Sequence, residues 1–275
     1  MPSLYQESKP RFALARPLAQ SFTRALSEAA PSSPIDLGIA TIQHEAYVEV
    51  LRRSVGEVVL VDAADDMPDS CFIEDTVVVV EDQAIITRPG AISRRGETFA
   101  VEASLRRLLL QGEQLKIHSL SPGATLDGGD VLQLGGRLFV GLSRRTNAAA
   151  VYDLATKVKR PVHTIKVEAG LHLKSLISAI DDHTLVIASH PEAIKMADQF
   201  RQALGGDLRI IEVPNVPAAN VLRLGRVLVI QAGFEASATL LEQAAKERDL
   251  TTVKINMSEF IKADGALTCC SVVIP

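Results

Sequence analysis

A repeat is the strongest constraint on what this chain can fold into. Four times along its 275 residues, two short β-like runs flank a polar or glycine-bearing turn, a helically periodic stretch follows, and another short strand closes the unit. The paired runs are Thr76–Val80 with Ala84–Arg88, Val131–Leu134 with Leu138–Leu142, Leu173–Ile180 with Thr184–Ser189, and Val221–Leu224 with Val227–Gln231. Helices are predicted over Arg94–Gln111, Thr146–Lys159, Pro191–Leu204 and Glu235–Arg248. The closing strands are predicted over Gln114–His118, Val162–Ile165, Leu208–Val213 and Thr251–Ile255. Turn centres fall near positions 82, 136, 182 and 225. That spacing of roughly 45 to 55 residues is the range of repeat architectures.

A fifth unit can be completed only by joining the two ends of the chain. Leu267–Ile274 would pair with Phe12–Arg16, and the helix Leu37–Arg53 and strand Val58–Val61 would supply the rest. The expected fold class is therefore α/β, a ring of five strand–strand–helix–strand units with helices outside and strands inside. Closing the ring would hide sheet edges. On this pattern alone an ordinary α/β sheet of irregular topology stays open as the alternative. No Pro/Gly/Ser-rich linker divides the chain, and Pro31–Pro34 reads as a short loop, so residues 1–275 are expected to form one domain.

Composition narrows the function. At 47% hydrophobic residues the chain can bury a substantial core, which excludes wholesale disorder. With 29 basic and 33 acidic residues, and a net charge of −4, it does not suit broad phosphate neutralisation on nucleic acid. Eight Phe, three Tyr and no Trp leave little for stacking nucleobases. No apolar run approaches the roughly 20 residues of a membrane-spanning helix. The opening MPSLYQESKPRF lacks the apolar core of a secretory signal, so a cytoplasmic location is expected. The three cysteines, Cys71, Cys269 and Cys270, argue against a disulfide scaffold.

Several residues carry potential chemistry. Cys269 opens the last apolar strand, where a thiol at a strand end can act as a nucleophile; adjacent side chains on a strand face opposite ways, so Cys270 would be packed away. Both can equally be small core residues. His172, in Gly170-Leu171-His172-Leu173-Lys174-Ser175, gains catalytic meaning only beside Cys269. Asp127-Gly128-Gly129-Asp130 brackets a glycine pair directly before a strand, a pattern that suits either a ligand-facing turn or a solvent-facing one. Asp69, Glu74 and Asp75 cluster at the mouth of the apolar Val77–Val80 strand. Charges there need a cationic partner, either an Arg or Lys of the protein or a cationic substrate. Ser93-Arg94-Arg95 and Ser143-Arg144-Arg145 follow successive hairpins and could hold a carboxylate by forked hydrogen bonds, or simply be solvated.

Five strings in register, PDSCFIEDTVVV, ITRPGAISRR, TLDGGDVLQLGGRLFVGLSRRTN, GLHLKS and DGALTCCSVVI, resemble the dimethylarginine dimethylaminohydrolases from about residue 40 to the C-terminus. The resemblance implies a five-bladed α/β propeller of the guanidine-modifying superfamily that hydrolyses Nω-methylated arginine to citrulline and a methylamine. By the same resemblance Cys269 is the nucleophile, His172 the general acid and base, and Asp127 the carboxylate that orients it. Asp69, Glu74 and Asp75 would bind the guanidinium and amino ends of the substrate, and Arg94 and Arg145 its α-carboxylate. Leu26, Ala263 and Asp264 fall at substrate-binding positions; Ala263 stands where relatives carry a larger apolar residue, at a site used through its main chain. No metal or organic cofactor is implied, the partner is a small molecule, and a homodimer is compatible with the sequence. The competing readings are an arginine deiminase-type hydrolase, a zinc hydrolase using Cys269, His172 and Asp127, and a non-catalytic arginine binder. The deiminases typically carry a helical insertion for which this chain has no room. Against zinc, no H-x-x-x-H or C-x-x-C spacing is present.

Overall fold

In a computed structural model of the protein, residues 5, 8–205 and 208–275 are described; residues 1–4, 6 and 7 of the opening stretch read for a signal lie outside them. In chain order the elements are β1 (Phe12–Ala15), α1 (Leu37–Ser54) and β2 (Glu57–Leu60). Next come β3 (Val77–Val80), β4 (Gln83–Ile86), α2 (Thr98–Leu110) and β5 (Lys116–Ser119). The third unit is β6 (Val131–Leu134), β7 (Arg137–Leu142), α3 (Ala148–Lys157) and β8 (Val162–Lys166). The fourth is β9 (Ile177–Asp181), β10 (Thr184–Ala188), α4 (Pro191–Leu204) and β11 (Arg209–Val213). The fifth is β12 (Leu222–Leu224), β13 (Val227–Gln231), α5 (Glu235–Lys246) and β14 (Thr251–Ile255), after which a short α6 (Ser258–Ile261) leads to β15 (Val272–Ile274).

These strands form five three-stranded sheets, β15-β1-β2, β3-β4-β5, β6-β7-β8, β9-β10-β11 and β12-β13-β14. In each, the central strand pairs antiparallel on one side and parallel on the other. The expected joining of the chain's two ends is present: Phe12 lies opposite Ile274 and Leu14 opposite Val272. The molecule is the five-bladed α/β propeller that the repeat implied.

The first strand of every blade faces the axis. Residues of β3, β6, β9, β12 and β15 together line a central channel of about 130 Å³. The helices bury one face on the outside; α4 places Ala193, Met196, Ala197 and Phe200 inward. Phe200 packs against Phe139 with ring centroids 4.3 Å apart, a contact whose burial stabilises by roughly 1.5–3 kcal/mol per side chain.

Two expectations need correction, for one reason. The strands predicted from Leu173 and from Leu267 begin late, at Ile177 and Val272. A single turn of 3₁₀ helix precedes each, at Leu173–Ser175 and Thr268–Cys270. The same turn precedes the inner strands of the other blades, at Ile73–Thr76, Gly128–Asp130 and Val216–Ala219. An inner strand has a neighbour on its outer side only. Its leading residues satisfy their backbone locally instead, as in Asp130 N–H to Asp127 C=O at 3.0 Å and Ser175 N–H to His172 C=O at 3.1 Å. Cys269 therefore sits in a turn, not on a strand. The helix predicted from Arg94 likewise begins at Thr98, after a 3₁₀ segment over Ile92–Glu97.

Candidate active site

The five 3₁₀ turns converge at one mouth of the channel, and each brings polar groups to it. A cavity of about 350 Å³ there is walled by Asp69, Asp75, Arg94, Arg145, His172 and Cys269. It adjoins a second chamber of about 200 Å³ that adds Glu74, Lys174 and Asn220. His172, Asp264 and Cys269 line both. The thiol and the imidazole, almost a hundred positions apart in sequence, share one space.

His172 is buried, and its Nε2 lies 2.9 Å from Asp127 Oδ2. Asp127 is fully buried and also accepts the Gly90 N–H at 2.8 Å, so its carboxylate is fixed in place. Gly129 explains how the ring fits. A Cβ on that residue would stand 2.6 Å from His172 Nδ1 and 3.1 Å from Asp75 Oδ1. Burial disfavours charge on His172, but the Asp75 charge, the Asp127 hydrogen bond and the charges of Asp130 and Asp127 outweigh it and raise its pKa to about 9. Cys269 moves the other way: burial, reinforced by the charges of Glu74 and Asp75, pushes the thiol up to about 12. Without a ligand, then, the pair stands as thiol and imidazolium.

The carboxylates at the mouth of β3 both have protein partners. Asp75 Oδ2 accepts Arg94 Nη1 at 2.6 Å, and Oδ1 accepts the Gly129 N–H at 2.9 Å. Although burial opposes ionisation of Asp75, the charges of His172 and Arg94 and these hydrogen bonds lower its pKa to about 2. Glu74 accepts Lys174 Nζ at 2.5 Å and Thr268 Oγ1 at 2.9 Å, while burial still pushes its pKa up. Asn220 joins this floor by donating to the Lys174 carbonyl and to Thr268 Oγ1, each at 3.0 Å.

Arg94 is held from within the protein. Each of its three nitrogens already donates within the protein: Nε and Nη2 to Glu97 at 3.2 and 2.9 Å, Nη1 to Asp75, and Nη2 also to the Phe72 carbonyl at 2.9 Å. It lines the cavity chiefly as the support behind Asp75. Arg145 is the contrasting case. Its Nη1 is buried without a hydrogen-bond partner, with the nearest carboxylate oxygen, on Asp127, 3.7 Å away.

The remaining residues lie on two segments that meet at the mouth, one through Leu26 and Glu28 and one through Ala263 and Asp264. Leu26 is 41% exposed and donates its N–H to Asp69 Oδ1 at 2.9 Å, so it enters the site through its main chain. Glu28 donates its N–H to Asp264 Oδ2 at 2.6 Å and pairs through its carboxylate with Arg144. Burial pushes the carboxyls of Asp69 and Asp264 up. Asp264 holds a left-handed backbone at φ 54°, which a non-glycine residue adopts at some conformational expense. Ala263 is buried beside it in the cavity wall. Asp75, Asp127 and His172 also bring ligand atoms within 4.8 Å of one another. These atoms are engaged within the protein rather than turned to a common metal ion: Asp75 accepts Arg94 and the Gly129 N–H, and Asp127 is hydrogen-bonded to the imidazole.

Sequence reasoning missed Glu97, Lys174, Thr268 and Asn220, and saw Asp130 only as part of its glycine-pair motif. Lys174 and Thr268 lay inside quoted motifs, two residues from His172 and one from Cys269. Asn220 had a positional signal only, since it follows the 3₁₀ turn of its blade.

Ring and mouth together define a hydrolase of the guanidine-modifying α/β-propeller class. A family model described as N,N dimethylarginine dimethylhydrolase, eukaryotic, matches residues 22–274. The N(G),N(G)-dimethylarginine dimethylaminohydrolase of Streptomyces coelicolor is 38% identical over 242 residues, covering 86% of this chain and 87% of that protein. The solved dimethylarginine dimethylaminohydrolase of Pseudomonas aeruginosa, a cysteine-to-serine variant complexed with citrulline, superposes with a TM-score of 0.83 at 27% identity, covering 97% of this chain and all of that one. A second structure, a histidine-to-glycine dimethylarginine dimethylaminohydrolase as an adduct with S-methyl-L-thiocitrulline, gives a TM-score of 0.81 at 27% identity, over 96% of this chain and 100% of that one. The chain belongs to the dimethylarginine dimethylaminohydrolase family.

Proposed function

We propose that this protein, acting as one domain, hydrolyses Nω-methylated arginine to citrulline and dimethylamine or methylamine through a covalent thiouronium on Cys269. The observation that carries this reading is the cavity itself. Cys269, His172, ionised Asp75 and Arg145 all line it, and Arg145 Nη1, 3.7 Å from Asp127 but without a hydrogen bond, offers a counter-charge for a carboxylate.

The chemistry follows from the charge states. A guanidinium drawn in by Asp69, Glu74 and Asp75 places positive charge beside the Cys269 sulfur and offsets the carboxylates that hold the thiol neutral, so the proton leaves to solvent. The thiolate attacks the guanidinium carbon and gives a neutral tetrahedral adduct. His172, protonated and steadied by Asp127, delivers its proton to the methylated nitrogen; the C–N bond breaks and the amine departs, leaving a cationic thiouronium. The now neutral His172 takes a proton from water as the oxygen adds to the same carbon. Collapse breaks the C–S bond, the hydroxyl proton returns to sulfur, and citrulline is free. Arg145 holds the α-carboxylate by charge-assisted hydrogen bonds, whereas Arg94 keeps Asp75 ionised and aimed. Leu26, Ala263 and Asp264 shape the end of the pocket occupied by the amino-acid portion.

The test offers the protein asymmetric dimethylarginine and arginine side by side, measuring citrulline, with acid quenching and mass analysis of the Cys269 peptide. Faster citrulline formation from the methylated substrate, and a substrate-derived mass on that peptide, are expected. Faster turnover of arginine would make it a deiminase; binding without citrulline would make it a non-catalytic binder.

A further inference from the structure

The motif Asp127-Gly128-Gly129-Asp130 contains two aspartates, and only the first touches the catalytic imidazole. The second is fully buried and faces three donors. Asp130 Oδ2 accepts the hydroxyls of Ser143 and Thr146, each at 2.6 Å, and Oδ1 accepts the Leu173 N–H at 2.9 Å. Two donors belong to the turn after β7, where the Thr146 N–H also donates to Ser143 Oγ, and the third to the turn bearing His172. Ser143 Oγ in turn accepts the Arg145 N–H at 3.0 Å, and Thr146 Oγ1 accepts the Asp127 N–H at 3.2 Å. Leu173 is the residue after His172. The strand beside it leaves room: Gly141 lies within β7, and a Cβ there would meet Asp130 Oδ1 at 2.7 Å and Leu173 Cβ at 3.0 Å.

We propose that Asp130 is a positioning residue for the hydrolysis, a single buried carboxylate that ties the segments bearing Asp127, Arg145 and His172 into one unit and fixes the imidazole relative to the thiol. The inference rests on His172 being the general acid and base. A carboxylate suits this place better than a neutral acceptor because it takes hydrogen bonds on both oxygens without needing a donor of its own. It also adds negative charge behind the imidazole. The ionisable groups facing His172 are Asp75, Asp127 and Asp130, with Arg145, Asp264 and Cys269 around the shared cavity. Asp130 and Asp127 act in the same direction, so removing one charge should loosen the imidazolium's hold on its proton without abolishing it.

The experiment compares wild type with Asp130→Asn, which keeps the shape and can keep the Leu173 contact. The His172 imidazole is titrated by NMR in the unliganded protein, its signal assigned with His172→Gln, and citrulline kinetics are measured separately. The expected result is a His172 midpoint lower by about one pH unit or more and a kcat reduced on the order of 10²-fold, with KM changed little. An unshifted midpoint with wild-type kcat overturns the proposal, as does a rise in KM alone. Should Asp130→Asn fail to fold, Gly141→Ala crowds the same carboxylate without removing charge; a folded Gly141→Ala protein with wild-type kcat also overturns it. The titration needs no substrate, so its outcome stands apart from whether methylated arginine is hydrolysed.

Discussion

The two ends of the same propeller handle charge in opposite ways. At the far ends of the hairpins, polar residues form ion pairs open to water: Asp82 with Lys116 at 2.6 Å, and Arg226 with Asp249 at 3.0 Å. At the mouth, Asp75, Arg94, Glu97, Asp127, Asp130 and His172 are all buried. Solvated pairs contribute little, because water screens them and side-chain entropy opposes them. Desolvated charges must compensate one another or the fold fails. The difference teaches where to look for chemistry. Arg94 has a protein acceptor on each of its nitrogens, whereas Arg145 Nη1, without a hydrogen bond in the cavity wall, is free to donate one to a ligand.

The largest break in this contrast should come from the reacting pair. Cys269→Ser should end citrulline release, and His172→Ala should lower kcat by about 10²–10⁴-fold with the fold intact by circular dichroism. Next comes Arg94→Met, which strands Asp75 and Glu97 as buried charges. Denaturant unfolding should show a loss of about 3–5 kcal/mol, where a purely ligand-binding arginine would leave stability unchanged. Arg145→Gln should instead raise KM by about 10- to 150-fold, the equivalent of one charge-assisted hydrogen bond, with stability nearly untouched. Isothermal titration with citrulline gives the same comparison without turnover.

The pH dependence sharpens the contrast further. His172 is raised to about 9 from an ordinary 6.5, so its contribution to stability is complete below pH 6.5 and disappears as pH rises through 9. The capacity to protonate the leaving amine should fall over the same upper range. Asp75, lowered to about 2 from 3.8, contributes fully above 3.8 and loses its contribution as pH falls through 2. Thermal melts across pH should show both limbs. At the solvated end, Asp82→Asn should change neither melting temperature nor turnover measurably, and a clear loss of either would erase the distinction between the two ends.

The sequence showed the ring more clearly than it showed the site. The boundaries of α4 were legible because His190 caps it and Pro191 occupies its first turn. The starts of β9 and β15 were not, because an apolar run reads as strand whether or not a neighbour is there to pair with it. Cys269, His172 and Asp127 could be found through their motifs; the structure brings the first two to one cavity and places Asp127 behind the imidazole, bonded to its Nε2. An arginine looks the same in sequence whether it faces a ligand or a buried carboxylate, so the bonds of Arg94 to Asp75 and Glu97 emerge only in the structure. Asp130 was visible as the second aspartate of its glycine-pair motif, but its bond to Leu173, 43 positions on, was not, and Asn220, bonded to Thr268 across 48 positions, left no local trace.

The pairing of β15 with β1 has a consequence for how activity reports on folding. The residue assigned to attack the substrate lies on the turn immediately before the strand that fastens the ring. Any lesion that unzips that fastening, even on the β1 side and far from the pocket, also withdraws the sulfur from its target. Turnover is thus a sensitive gauge of whether the circle is shut, and partial opening should silence the enzyme well before its helices melt.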